Sequence, residues 1–359
     1  MRGMNRKGRK ALTAAVAALF LISLLSPSLS GCGKTEAVTP QEEDEPQGQE
    51  APVNPLTGEK VASWDLVSRR PLAIKVENEP PARPQSGLLE AELVFEELVE
   101  GGATRFICVY LANECPVVGP VRSARPSDID IIYFLKPLLT CSGGSSQVMR
   151  MVESSGIMFV TEDSSFFWRD RNRRMPHNLY TSTELLRRHL EEEKDGFRGP
   201  VYSGLSFMPE GGEDEAGEKG AQPSADATSL AIHYPDKTCK ASYSYDAASR
   251  RYLRSTGGKA HTDLKTGKQL APANVIVQFV KVQNSSLRDA AGSPVPVSQV
   301  VGSGRCLVFS GGKVFVGRWK KGNRNSPTSF TDEEGRPILL RPGQTWIHLV
   351  GEDFRVDYR

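Results

Sequence analysis

The sequence lacks most of the signatures that would announce a chemistry. Its 359 residues include only five histidines, and there is no CxxC pair or paired Cys/His spacing of the kind a zinc site uses. No lysine follows the glycine turn at Gly143 and Gly144 at the place a Walker loop requires, and no nucleophile-elbow spacing is present. Charge of one sign is also missing: 45 Lys and Arg against 43 Asp and Glu leave a net +2, whereas nucleic-acid binders are usually strongly basic. The apolar run from Ala11 to Leu25 falls short of the roughly 20 residues a membrane helix needs. These absences leave no signature of a cofactor or metal ligand and no sign of a nucleic-acid partner. What remains is a chain long enough for two ordinary domains, each with its own core.

The clearest positive signal is at the start. Arg2, Arg6, Lys7, Arg9 and Lys10 precede the apolar run, which ends at Leu29-Ser30-Gly31-Cys32. This pattern resembles the bacterial lipobox, in which small residues let a signal peptidase cut before a cysteine that carries a diacylglyceryl lipid and further acyl chains such as palmitate. Residues 1–31 therefore read as a lipoprotein signal peptide and Cys32 as the lipidation site. Each buried methylene of an acyl chain contributes about 0.8 kcal/mol, so such an anchor would hold the chain on the extracytoplasmic face of the cell membrane. Residues 32–53, rich in Glu and Pro with almost nothing to bury, read as a disordered tether. Five cysteines remain beyond Cys32, and an exported address permits disulfides; Cys108 and Cys115 are close enough in sequence to close a short loop.

Residues 54–209 alternate strand and helix patterns, which predicts an α/β domain with a mixed sheet. Strands are expected at Pro71–Asn78, Glu92–Leu98, Arg105–Ala112 and Leu138–Cys141. Helices are expected at Leu88–Ala91, Ser127–Lys136 and Ser146–Ser154, and at Thr181–Lys194, where Thr181 and Glu184 match a capping box. Residues 210–228 hold Gly, Glu, Ser, Ala and Pro with no large apolar side chain and read as a linker or long loop. Residues 229–359 change character: short β-like runs such as Ala241–Tyr245, Val275–Val282, Lys313–Trp319 and Thr345–Val350 succeed one another between turns, which predicts a smaller, mostly-β second domain.

Chemistry-bearing residues concentrate at turns of the first domain. Arg83, Glu100, Arg105, Arg122 and Arg125 stand beside Gly or Pro turns, and Gly143, Gly144 and Ser145 lie between an expected strand end and a helix start, where backbone amides can meet an anion. Farther along, Arg169, Asp170 and Arg173 precede Pro176-His177-Asn178-Leu179-Tyr180. Arginine forks suit carboxylate or phosphate oxygens.

These blocks, with Arg83-Pro84-Gln85-Ser86-Gly87, Asn274-Val275-Ile276-Val277-Gln278 and Pro342-Gly343-Gln344-Thr345-Trp346-Ile347, resemble the YerB-like lipoprotein family of Gram-positive bacteria. The resemblance implies an N-terminal and a C-terminal domain, both of unknown function, and covers nearly everything after Asn54. It departs where the family tends to have aspartate and this chain has Glu77, and where the family tends to have histidine and this chain has Cys141.

Three functions remain open on these residues. In the first, Arg83, Glu100, Arg105, Arg122, Arg125, Gly143, Gly144, Ser145, Arg169, His177, Asn178 and Tyr180 build a cleft for an anionic cell-envelope ligand such as peptidoglycan or teichoic acid. In the second, the protein is a hydrolase or transferase of the cell wall, with Ser145 or Cys141 as nucleophile, His177 as general base and Glu77 or Asp170 as the supporting acid. In the third, it is a scaffold that docks another envelope protein at the membrane surface.

Overall fold

The computed structural model describes residues 51–162, 165–209, 220–289 and 292–359. The signal peptide, Cys32, nearly all of the tether and residues 210–219 of the expected linker lie outside the described residues. Among the described residues no helix is long and apolar enough to cross a membrane.

The first half contains α1 (Trp64–Ser68), β1 (Leu72–Glu77), β2 (Leu93–Leu98), β3 (Thr104–Tyr110), α2 (Pro126–Ile132), β4 (Leu138–Thr140), α3 (Ser146–Ser155), β5 (Met158–Val160) and α4 (Thr183–Glu192). The second half contributes β6 (Ser229–Ile232), β7 (Ala241–Asp246), β8 (Arg251–Thr256), β9 (Asn274–Arg288), β10 (Pro294–Gln299), β11 (Gly302–Ser310), β12 (Lys313–Lys321), β13 (Ser329–Thr331), β14 (Thr345–Gly351) and β15 (Val356–Tyr358). One twelve-stranded mixed sheet runs through both halves in the order β13-β12-β11-β9-β14-β2-β3-β1-β4-β5. Off this path, β10 pairs with β9, and Ala225–Asp226 pairs with β12.

The junction between the halves is β14. It lies parallel to β9 on one side and parallel to β2 on the other, so Thr345 stands opposite both Asn274 and Leu93. Each of its seven residues is buried, as is each of β1 and β3. Strands this apolar belong in the middle of a sheet covered on both faces. On one face α2 and α3 press Ile129, Ile132, Val148 and Val152 against Ile107, Ile276 and Ile347. On the other, Leu186 and Leu190 of α4 cover Ile74, Phe106 and Tyr110. A second sheet, built from Lys259–Ala260, β8, β7, β6 and β15, packs Leu230, Tyr243 and Tyr252 over Val275, Val277 and Phe309 of the large one.

Four local expectations are corrected. Leu88–Ala91 is a turn rather than a helix, because the preceding backbone is committed elsewhere: Ser86 pairs with Gly119, and the Gly87 amide donates to Asp263 at 2.9 Å. The cap of α4 is Ser182, whose hydroxyl accepts from Leu185 at 3.1 Å; Thr181 is held in an extended bridge to Val118. The helix expected at Ser127–Lys136 begins at Pro126 and ends at Ile132, after which a tight turn leads to Lys136 in the left-handed region. No disulfide joins Cys108 and Cys115: both are free and buried, as are Cys141, Cys239 and Cys306.

Candidate functional site

Three arginines meet where β1 ends and β3 begins. Arg105 is the second residue of β3, and it stands opposite Glu77 of β1 and Glu97 of β2. Arg122 and Arg125 come from the segment after Gly119, which is stitched down by backbone hydrogen bonds at both edges. The Arg122 amide donates to the Lys75 carbonyl at 3.0 Å, Ser142 donates to the Arg122 carbonyl at 3.0 Å, and Ala124 donates to the Gly143 carbonyl at 2.8 Å. The glycine turn and the arginine segment are thus fixed side by side, and Ser145 then caps α3 by accepting from Val148 at 3.3 Å.

These groups line a cavity of about 560 Å³ whose wall includes Glu100, Arg105, Arg122, Arg125 and Ser145. The second half closes it with Arg288, Asp289 and Val295. Its charges are unevenly matched. Arg125 holds Glu100 through two contacts of 2.6 Å. Arg122 Nε lies 3.2 Å from Glu77 Oε1, which also meets His177 Nδ1 at 2.9 Å. Arg105 donates to the Ser123 carbonyl at 3.1 Å, but among the described residues no carboxylate lies within ion-pair distance, and its Nε is buried without a hydrogen-bond partner. Burial, with the charges of Arg125 and Arg122 next, lowers the Arg105 guanidinium to about 10. Burial raises Glu77 above the usual carboxylate range against the opposing pull of Arg122 and His177.

The expected site residues therefore fall into groups. Glu100, Arg105, Arg122, Arg125, Gly144 and Ser145 share the cavity wall; Gly143 supplies the backbone contact behind it. His177 reaches the site only through Glu77. Arg169 and Asn178 bond each other at 2.8 Å on the loop that Asn178 also ties to the Asp170 and Arg173 carbonyls, and they do not line the cavity. Arg173 is committed to the carbonyls of Ala82 and Pro84. Asp170 accepts from the Asn172 amide at 2.9 Å in its own turn. Tyr180 is buried, its hydroxyl without a hydrogen-bond partner among the described residues and pushed up to about 12 by burial. Arg83 lies elsewhere, on a separate cavity of about 410 Å³, donating to the Thr238 carbonyl at 2.8 Å. Cys141 is fully buried, and burial pushes its thiol up to about 11, which keeps it protonated and weakly nucleophilic at neutral pH.

Sequence spacing missed a second polar cluster, wholly buried between the halves. Arg254 donates to Glu96 Oε2 at 2.9 Å and to the Tyr243 hydroxyl, and its Nε donates to His261 Nδ1 at 3.0 Å. His261 Nε2 in turn donates to Gln85 Oε1 at 2.7 Å. His348 sits between the Tyr234 and Tyr243 hydroxyls at 2.9 and 2.7 Å. Burial, with the Arg254 charge, holds both imidazoles well below their usual range. The strand alternation of β8 carried a signal: Tyr252, Arg254 and Thr256 share its inward face.

Comparison with known proteins places this geometry among relatives. Residues 56–198 match the family described as Protein of unknown function (DUF3048) N-terminal domain, and residues 230–347 match its C-terminal domain. A Bacillus subtilis (strain 168) protein named "Putative lipoprotein YerB" is 30% identical over 302 residues, covering 82% of this chain and 85% of the relative. A crystal structure of the YerB protein from Bacillus subtilis superposes with a TM-score of 0.72 at 28% identity, covering 85% of this chain and 99% of that one.

Proposed function

The chain belongs to the YerB-like DUF3048 family, and from that premise we propose that it is a membrane-anchored extracytoplasmic lipoprotein that holds an anionic group of a cell-envelope polymer in the arginine cavity. Cys32 carries the lipid in this reading, and the relative's name as a lipoprotein supports it.

One observation supports the binding function above the rest: Arg105 is buried at the wall of an open cavity, and among the described residues no carboxylate lies within ion-pair distance of it, Glu100 and Glu77 being held by Arg125 and Arg122. An uncompensated buried charge is costly, and removing a partner from such a group typically costs several kcal/mol. A ligand oxyanion entering the cavity would give Arg105 the partner that Arg122 and Arg125 already have in Glu77 and Glu100. Arginine offers paired N–H donors in a planar fork, which suits phosphate and carboxylate oxygens. The volume lies in the range of small-ligand sites and suits one headgroup or stem-peptide end rather than a polymer chain.

The test uses the full-length protein in detergent and two probes, a teichoic-acid fragment carrying phosphate and a muropeptide carrying carboxylate. Calorimetry at two salt concentrations should give saturable binding of one probe, weaker at high salt. Arg105→Met should weaken it at least about tenfold, the lower end for a charged hydrogen bond. Binding of neither probe, or equal binding by the variant, removes the reading.

A further inference from the structure

Behind Arg122, outside the cavity lining, lies a second set of ligand-type side chains. One carboxylate oxygen each from Glu77 and Glu79 and one ring nitrogen of His177 lie within 4.8 Å of one another. Glu77 ends β1, Glu79 follows two residues later, and His177 comes from the turn after Pro176. Glu77 is fully buried, and among the described residues its Oε2 has no hydrogen-bond partner. Glu79 and His177 are only partly buried, so the set opens toward solvent on their side.

We infer that Glu77, Glu79 and His177 are the protein ligands of a first-row divalent transition cation. The geometry fits such an ion. Two ligands bound at about 2.1 Å and at right angles stand about 3.0 Å apart, and two on opposite sides about 4.2 Å apart. Glu77 Oε1 and His177 Nδ1 are separated by 2.9 Å, the edge of such a polyhedron. The Glu79 oxygen lies within 4.8 Å of both, on a partly exposed side chain. The donor set of one imidazole and two carboxylates suits zinc, manganese or iron better than calcium or magnesium, which take oxygen ligands. Three protein ligands also leave a position for water or a ligand atom.

The orphan oxygen makes the case independently of the clustering. A buried carboxylate oxygen that no N–H or O–H reaches is costly, and a cation gripped by both oxygens of Glu77 would take up Oε2 along with Oε1 without a donor. Arg122, the other charged group on Glu77, meets only Oε1. Two carboxylates balance a divalent ion and leave Arg122 as a residual positive charge toward the cavity. The inference stands whether or not the cavity takes an anion.

The experiment titrates Zn²⁺ into the metal-stripped full-length protein in detergent, by calorimetry and by metal content after dialysis. One zinc per chain is expected. Glu79→Gln and His177→Ala should each lose at least about 100-fold in affinity, the upper end for losing even an outer-shell partner. Both positions are partly exposed, and melting curves without metal check that each variant is folded. Arg105→Met should bind zinc as the parent does, which separates this inference from the anion reading. Absence of zinc binding in the parent, or His177→Ala binding as tightly as the parent, overturns it.

Discussion

Arg254 Nη2 lies 2.9 Å from Glu96 Oε2, both side chains fully buried, and the contact joins a strand of the second half to one of the first. Arg254 also stacks 4.4 Å over the Trp346 ring on β14, the strand that the two halves share. Glu96 is further held by the Thr104 hydroxyl at 2.7 Å. Removing one partner of such a pair strands a charge in the interior, whereas replacing both with apolar or neutral groups of similar volume is far less costly. Arg254→Met should therefore lower unfolding stability by about 3–5 kcal/mol, and Glu96→Gln added to it should recover most of that loss. A double-mutant cycle by urea unfolding measures the coupling. Additivity within about 0.5 kcal/mol would mean the pair is not a unit.

A second buried ionic cluster sets a pH dependence. Lys75 bonds both Glu97 and, at 2.6 Å, Asp128, with all three side chains fully buried. Burial, then the Asp128 charge, raises Glu97 from 4.5 to about 8. A raised folded value means the native state keeps a proton that the unfolded chain has released. The stability from this group is complete below about pH 4.5, declines as pH rises, and is gone above about 8. The decline should be at most about 1.4 kcal/mol per pH unit. Glu97→Gln, which cannot titrate, should flatten the curve between pH 5 and 8 in urea unfolding. A parent protein as stable at pH 8 as at pH 5, with the variant unchanged from it, would contradict the assignment.

Gly119 tests how the site is held in place. Its φ is +152°, and an added Cβ would stand 2.7 Å from the Leu179 carbonyl and 2.8 Å from the Tyr180 ring. Gly101, at φ +71°, has open space around it. Gly101→Ala should cost about 1 kcal/mol, the ordinary penalty for a left-handed residue with a side chain. Gly119→Ala should cost clearly more, because backbone must also move. That movement displaces the segment carrying Arg122 and Arg125, so anion binding should fall in Gly119→Ala and persist in Gly101→Ala. Equal melting temperatures for the two variants would show that the contact is not a constraint.

The strands and most helices were legible because their residues repeat at the periods that β and α backbones impose. The apolar stretch around Ile107 and the alternation of β8 are examples. The glycine turn beside Arg122 was legible too, since Gly and Pro mark where a chain changes direction. What spacing could not reveal was which distant segments meet. Arg288, which closes the cavity, lies on a hairpin of the other half, and nothing in its own neighbourhood distinguishes it from a solvated surface arginine. Arg83 and Arg169 carry the same local marks as Arg122, yet one faces another cavity and the other an exposed loop. Glu77, Glu79 and His177 likewise have no ligand spacing in sequence; only the fold brings them within 4.8 Å.

Arg105 offers the sharpest separation of stability from binding. Its guanidinium is buried, faces two other guanidiniums, and among the described residues has no acid within ion-pair distance; Glu100 and Glu77 are already held by Arg125 and Arg122. In the empty protein it is therefore a strain on the native state. Arg105→Met keeps the aliphatic stem of the side chain and removes the charge, and the relation between buried ions and apolar replacements predicts a gain of up to about 2 kcal/mol or no change. Binding should move in the opposite direction. A ligand at 100 times its dissociation constant stabilises the native state by about 2.7 kcal/mol. That ligand-dependent increment, read from urea curves with and without the bound probe, should be present in the parent and absent in the variant. A variant that is markedly less stable, yet keeps the increment, would assign Arg105 to the architecture and leave the cavity without its principal anion donor.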